Sequence, residues 1–170
     1  MKWIWKHFDE LNVRELYEIL RLRSEVFVVE QKCIYQDLDG LDPLSWHLMG
    51  LDERDERIVA CCRICPPQTR FPELSIGRVV VAEKSRGKSF GKALMKRAVE
   101  EIERRFGAQD IRLSAQSWLK NFYLDLGYDQ VSEEYLEDGI PHFEMLLSQV
   151  KLAQSSQDSE AFPPKTNFSA

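Results

Sequence analysis

Three short stretches of this sequence carry residue types at spacings that chemistry uses. The first is "VVVAEKSRGKSFGKALMKR", residues 79–97, where an apolar segment runs through an Arg/Gly loop into a helical pattern. A helix N-terminus leaves backbone N–H groups without partners, and its dipole favours an anion. Gly87 and Gly91 allow close backbone approach, while Arg86, Lys88 and Lys92 add positive charge where the dipole opposes it. Cations there make sense when an anion joins them. A Walker loop needs four residues between its glycines and a final hydroxyl residue. Here Lys88, Ser89 and Phe90 separate Gly87 from Gly91, and Ala93 stands at the hydroxyl position, so that reading fails, as does GxGxxG.

The second stretch, "CCRIC", contains Cys62-x-x-Cys65. A structural zinc site would need a second ligand pair, and the sequence offers neither another CxxC nor a close His pair. Because "RIVACCRICPP" reads as a strand ended by prolines, the thiols are expected to be small buried side chains. The third, "DLDGLD", places Asp37, Asp39 and Asp42 around Gly40. Its glycine falls too early for an EF-hand loop. Two readings stay open: a solvated acidic turn, or an electrostatic lure for an ammonium group. No metal is expected.

The elements that must position these residues follow from periodicity. Residues 2–8 alternate as a strand, and Asn12 with Glu15 forms a capping box for a helix reaching about residue 30. "WHLMGL" and "RIVACCRIC" predict a hairpin. "LSIGRVVVA" predicts a third strong strand in which Gly77 marks a bulge or a close backbone approach. Phe90, Leu94, Ala98, Ile102 and Phe106 form an i, i+4 stripe that Gly107 ends. "IRLSA" is a strand, "SWLKNFYLDLG" a short helix, and residues 128–150 supply two last strands. The order β-α-loop-β-β-β-α-β-α-β-β describes one α/β domain over residues 1–150, of the α+β kind with a mixed sheet. Residues 151–170, rich in Ser, Gln and Pro, read as a disordered tail.

Composition narrows the classes. A formal charge of -5 over 170 residues argues against nucleic acid as a partner. No apolar run approaches the roughly 18 residues of a membrane span, and the N-terminal apolar run is too short for a signal peptide. A cytoplasmic protein is expected, without a membrane partner.

The loop and its flanks resemble the strand-to-helix motif of the GNAT superfamily of acyl-CoA-dependent N-acetyltransferases, Arg/Gln-x-x-Gly-x-Gly/Ala. Arg86 takes the first position and Gly91 the last, with Ser89 in the middle glycine's place and Gly87 expected to adopt the unusual dihedral. "SAQSWLKNFYLDLGY" is similar to the family's fourth motif, with Tyr123, Gly127 and Tyr128 matching and Gln116 in the Asn slot. "LRSEVFVVEQ", "YQDLDGLD", "IGRVVV" and "EDGIPH" resemble the ElaA-like branch, which also lacks the middle glycine.

The resemblance implies a GNAT-like fold, its mostly antiparallel sheet splayed between the fourth and fifth strands and flanked by helices. It implies acetyl-CoA as co-substrate, with the pyrophosphate over Arg86, Gly87, Lys88, Ser89, Phe90, Gly91 and Lys92. Backbone groups of Val79, Val80 and Val81 would hold pantetheine, and Gln116 would line the site. Tyr123 would be the general acid that protonates the leaving thiolate. His142 and Glu30 are the candidate bases, His47 a weaker one. The implied acceptor is a primary amine of a small molecule or peptide. Alternatives are an acyl-homoserine-lactone-synthase-like acyltransferase, which "RSEVFVVEQ" also resembles, and a non-catalytic acyl-CoA-binding module. A sheet edge or the last strand pair would serve a homodimer.

Overall fold

The structure, a computed structural model, describes residues 1–148. The expected tail therefore lies outside the described residues. Strand β1 (Lys2–His7) leads into helix α1 (Val13–Arg23). The capping box is present: Asn12 Oδ1 accepts from the amides of Arg14 and Glu15 at 2.9 Å each, and Glu15 Oε2 accepts from the Asn12 amide. Helical structure reaches Glu30 as expected, but residues Ser24–Glu30 wind as a π-helix, closed by the Gln31 amide on the Val26 carbonyl at 3.1 Å. The wider turn keeps Val26 in the core and delivers Glu30 and Gln31 to the ends of two later strands.

Strands β2 (Trp46–Leu51), β3 (Ile58–Cys65) and β4 (Leu74–Val81) form an antiparallel meander. Helix α2 (Phe90–Phe106), β5 (Ile111–Gln116) and short helix α3 (Lys120–Leu124) follow. The chain then makes β6 (Asp129–Gln130), β7 (Tyr135–Glu137) and β8 (Ile140–Leu147). The sequence reading merged β6 and β7 into one strand. The backbone breaks between them, and both pair with β8.

The eight strands lie in one sheet, ordered β1-β2-β3-β4-β5-β8-β6 with β7 beside β8. Every junction is antiparallel except β4–β5, which is parallel and pairs only Leu74 with Ile111 and Ser75 with Arg112. Beyond Ser75 the two strands part. A bulge contributes to this: Cys61 faces Val80 while Arg63 faces Gly77, so β4 holds one residue more than β3. The bulge adjoins Gly77 as expected, and its strained residue is Arg78, at φ 51°.

One apolar cluster lies under α2 and α3 and includes Cys62, Leu94, Ala98 and Tyr123. The other lies under α1 and includes Ile19, Leu22, Cys61 and Val80. Adjacent Cys61 and Cys62 thus face opposite sides of the sheet, as strand alternation requires. Burial pushes the Cys61 thiol up to about 12, consistent with inert core thiols.

The "DLDGLD" loop corrects both sequence readings. Asp37 and Asp42 are buried, and so are Arg23 and Arg63. Arg23 donates to Asp37 at 2.9 Å and to Asp42 at 2.6 Å. Arg63 donates twice to Asp39, at 2.6 and 2.7 Å, and Arg78 reaches Asp39 at 3.1 Å. Three carboxylates meet three guanidiniums, so the loop is a neutralised pin between α1, β3 and β4 and not a free acidic lure. His47 joins this cluster, buried at 1% exposure, 3.9 Å from Asp42 and on no wall of the cavity described below.

Candidate active site

The splay of β4 from β5 opens a cavity of about 690 Å³. From Ile76 onward β4 has no partner on its β5 side, so strand backbone is left facing the cavity along Val79–Val81. At the end of β4 the chain makes a short turn at Glu83–Ser85 and enters α2 through the Arg/Gly loop. Of the residues that the resemblance placed at the coenzyme A loop, the β4 backbone, Gln116, Tyr123, His142 and Glu30, all line the cavity except Lys88, which faces a separate depression of about 280 Å³.

The loop adopts two left-handed residues, Gly87 at φ 76° and Ser89 at φ 59°. Gly87 takes the unusual dihedral as expected, and Ser89 adds a second one that the sequence did not announce. Ser89 is the N-cap of α2, yet its side chain makes no capping bond, and no acidic residue occupies the first helical turn. The amides at this helix start point to where an anion would be welcome. A left-handed non-glycine costs roughly 1–2 kcal/mol, and glycine's greater unfolded-state freedom offsets about 0.4–1 kcal/mol of any relief. Ser89→Gly is thus expected to shift Tm by no more than a few degrees and, if the loop holds coenzyme A as the resemblance implies, to keep that binding. Loss of coenzyme A-dependent stabilisation in that variant would show that the serine side chain itself is required.

Arg86 does not reach freely into the cavity. Its two amino groups donate to both oxygens of Glu30 at 2.6 and 2.8 Å, and its Nε donates to the Val81 carbonyl at 3.1 Å. The hydrogen bonds from Arg86 hold the Glu30 carboxyl below its ordinary value. A carboxylate with both oxygens engaged is a poor proton acceptor, so this geometry disfavours Glu30 as the base. It suits Glu30 to orienting Arg86. On the opposite lip, the Gln116 side-chain amide donates to Gln31 at 3.1 Å and accepts from Trp118 at 2.8 Å. The end of the π-helix therefore touches both lips of the splay through adjacent residues. Lys92 is paired with Asp125 at 3.0 Å.

Tyr123 is 5% exposed and projects from α3 against Phe122 and Tyr128. Its hydroxyl makes no hydrogen bond among the described residues. Burial, with Cys62 nearby, pushes the phenol well above its ordinary value, which keeps the proton on the oxygen at any working pH. His142 sits on β8, opposite Gln116 on one side and Tyr135 on the other. Its Nδ1 lies 2.8 Å from the Ile140 carbonyl. A carbonyl can only accept, so Nδ1 carries the proton and Nε2 of the neutral ring is the acceptor.

Sequence reading missed the group beside His142. The β7–β8 hairpin, turned by Asp138 and Gly139 at positive φ, presents Glu137, Ile140 and His142 on one cavity-facing side. Glu137 accepts from Ser114 Oγ at 2.7 Å and from Arg70. Ser114 Oγ has one hydrogen, so the Tyr135 hydroxyl, 2.6 Å away, donates to it. Burial pushes the Glu137 carboxyl up, but these hydrogen bonds and the positive charge of Arg70 win and hold it low. Arg70 and Glu137 are 67 positions apart, which no motif could reveal. Among the described residues no group of His, Cys, Asp or Glu could hold a metal, and no helix is long and apolar enough to cross a membrane.

A sheet splayed at its single parallel junction, with an anion-welcoming helix start at the splay, defines the acyltransferase architecture that the loop motif resembles. The chain belongs to the GNAT family: the model of the acetyltransferase (GNAT) domain matches residues 24–149. Among particular relatives, it is 40% identical to protein ElaA of Escherichia coli over 145 residues, 85% of this chain and 95% of that one. The solved structure of Escherichia coli ElaA covers 86% of this chain and 99% of its own, with TM-score 0.78 and 39% identity. That of an acyl-CoA N-acyltransferase from Pseudomonas aeruginosa covers 87% of this chain and 100% of its own, with TM-score 0.80 and 43% identity.

Proposed function

We propose that this protein transfers an acetyl group from acetyl-CoA to a primary amine by direct attack. The carrying observation is the β4 edge at Val79–Val81, which has no strand partner on its β5 side, running straight into the helix start at Gly87–Gly91. That continuity gives one path for a thioester arm and its phosphates. Amides of the loop would take the pyrophosphate, with Arg86 held ready by Glu30. Backbone groups of β4 would align the pantetheine and polarise the thioester carbonyl.

His142 Nε2 would accept a proton from the acceptor ammonium, and Tyr123 would give one to the departing sulfur. The amine nitrogen bonds to the carbonyl carbon and the C–S bond breaks. Of the two protons the ammonium loses, one balances the thiolate and the other leaves to solvent. Holding both reactants in one cleft supplies the remaining advantage.

The test pairs thiol release from acetyl-CoA over an amine and peptide panel with thermal shift. Ligand at 100 times its Kd stabilises by about 2.7 kcal/mol, which for a domain of this size is a shift of roughly 5–11 °C. Gly91 gives the specific control. A Cβ there would meet Phe122 at 3.5 Å, an ordinary contact, so the fold tolerates Gly91→Ala. The variant is expected to fold as stably as the parent and to lose most of the coenzyme A shift. A full shift in Gly91→Ala would move the pyrophosphate away from this loop.

A further inference from the structure

We infer that the acceptor is a zwitterion of the α-amino acid class, read by the Arg70–Glu137 pair on the wall of the cavity. This inference rests on the acetyltransferase reading above. It begins from an asymmetry in how the two side chains are used. Glu137 accepts from both Ser114 and Arg70, which fixes the position of its carboxylate beside His142. Arg70 gives only one of its amino groups to Glu137, and its guanidinium lies 5.5 Å from the centre of the Phe71 ring. Among the described residues its Nε and second amino group donate to nothing. A guanidinium is a fork of five N–H donors suited to binding a carboxylate at two points.

Both side chains are partly shielded, at 27% and 28% exposure, so their charges are screened less than surface charges would be. A wall that presents a carboxylate next to an unfilled guanidinium edge complements a ligand with ammonium and carboxylate equally close together. The ammonium settles against Glu137, where His142 Nε2 can receive its proton. The carboxylate settles on the open side of Arg70. Other acceptors fit less well. An amine without a carboxylate leaves Arg70 unanswered, and a diamine sets its second cation against it. The other cation on this wall, Arg78, is already matched by Asp37 and Asp39, so it offers no competing carboxylate site.

The test begins with the unmodified full-length chain and acetyl-CoA, measuring thiol release with four matched acceptors. These are a free α-amino acid, its methyl ester, the decarboxylated amine with the same side chain, and a linear diamine. The expected result is a kcat/KM for the free amino acid at least tenfold above each of the others. Arg70→Met is expected to raise KM for the amino acid about tenfold or more with a smaller change in kcat, so that acid and ester converge. Arg70→Lys should recover part of the discrimination, since it restores the charge without the fork. Release that ignores the carboxylate, or favours the diamine, overturns the zwitterion inference and leaves the acetyltransferase reading standing. No release with any acceptor, alongside an intact coenzyme A thermal shift, overturns the amine-transfer reading and this inference with it. The substrate arms need no variant, so a poorly folding Arg70→Met does not remove the test.

Discussion

Tyr123→Phe is expected to lower kcat by about 10² or more while acetyl-CoA affinity changes less than about threefold, the range general-acid catalysis contributes. The geometry makes this a clean experiment. The Tyr123 hydroxyl has no hydrogen-bond partner among the described residues, and its ring is packed by Phe122 and Tyr128, contacts that phenylalanine keeps. Removing the oxygen therefore takes nothing from the fold, and Tm should stay within about a degree or two. The neighbouring Tyr128 is the internal control. Its hydroxyl is buried without a protein partner, so Tyr128→Phe should leave turnover unchanged and Tm equal or higher. If Tyr123→Phe turns over at the parental rate under conditions where chemistry limits, Tyr123 has no role in proton transfer. If both variants lose activity equally, the effect belongs to packing of α3 and not to the acid.

Arg23→Met should be the most damaging single change to stability. It takes from buried Asp37 and Asp42 the cation they share and leaves each with one other guanidinium, Arg78 for Asp37 and Arg63 for Asp42; breaking a buried pair in this way costs about 3–5 kcal/mol. At roughly 2–4 °C per kcal/mol, Tm falls by about 6–20 °C. Arg57→Ala at the exposed Arg57–Asp55 pair serves as the comparison and should not move Tm measurably.

The same cluster sets the acid limb of stability. Burial pushes Asp39 and Asp42 up, but the guanidiniums prevail and leave both folded values depressed. Such groups contribute stability above the unfolded carboxylate value of about 3.9, and lose it as pH falls through the folded values. His47 is depressed by burial, so below about pH 6.5 the unfolded chain gains a proton that the folded chain refuses. Stability should therefore begin to decline near pH 6.5 and fall more steeply below pH 4. Because Arg23 is the main group that holds the Asp42 carboxyl down, the gap between parent and Arg23→Met should narrow below pH 4. A gap constant from pH 8 to pH 3 would show that the cluster does not carry these charges in the folded state.

Much of this molecule was legible in the chain itself. Strand alternation, the Asn12–Glu15 box, the α2 stripe and the Gly107 stop are local patterns, and local patterns follow from backbone geometry and nearest-neighbour packing. The Arg86–Gly91 loop was legible for the same reason, since strand, loop and helix are contiguous. Ser89 at φ 59° shows the limit of that reading: the sequence shows which side chain is present, while the loop's path decides which residue takes the strained dihedral. Where interactions cross the chain, sequence was silent or misleading. "DLDGLD" looked like free acid because its cations, Arg23, Arg63 and Arg78, lie 14 to 41 positions away and meet it only when α1, β3 and β4 pack together. Glu30 looked like a spare base until the π-turn brought it to Arg86. The Arg70–Glu137 wall exists only because the β7–β8 hairpin folds back beside β5. By itself the sequence determined most of the elements, their order and the strand–loop–helix path at Val79–Phe106, because each is a contiguous segment with its own periodicity. Tertiary structure decided which charges are already answered and which remain open to a ligand, because ion pairing depends on distance in space and not on distance along the chain.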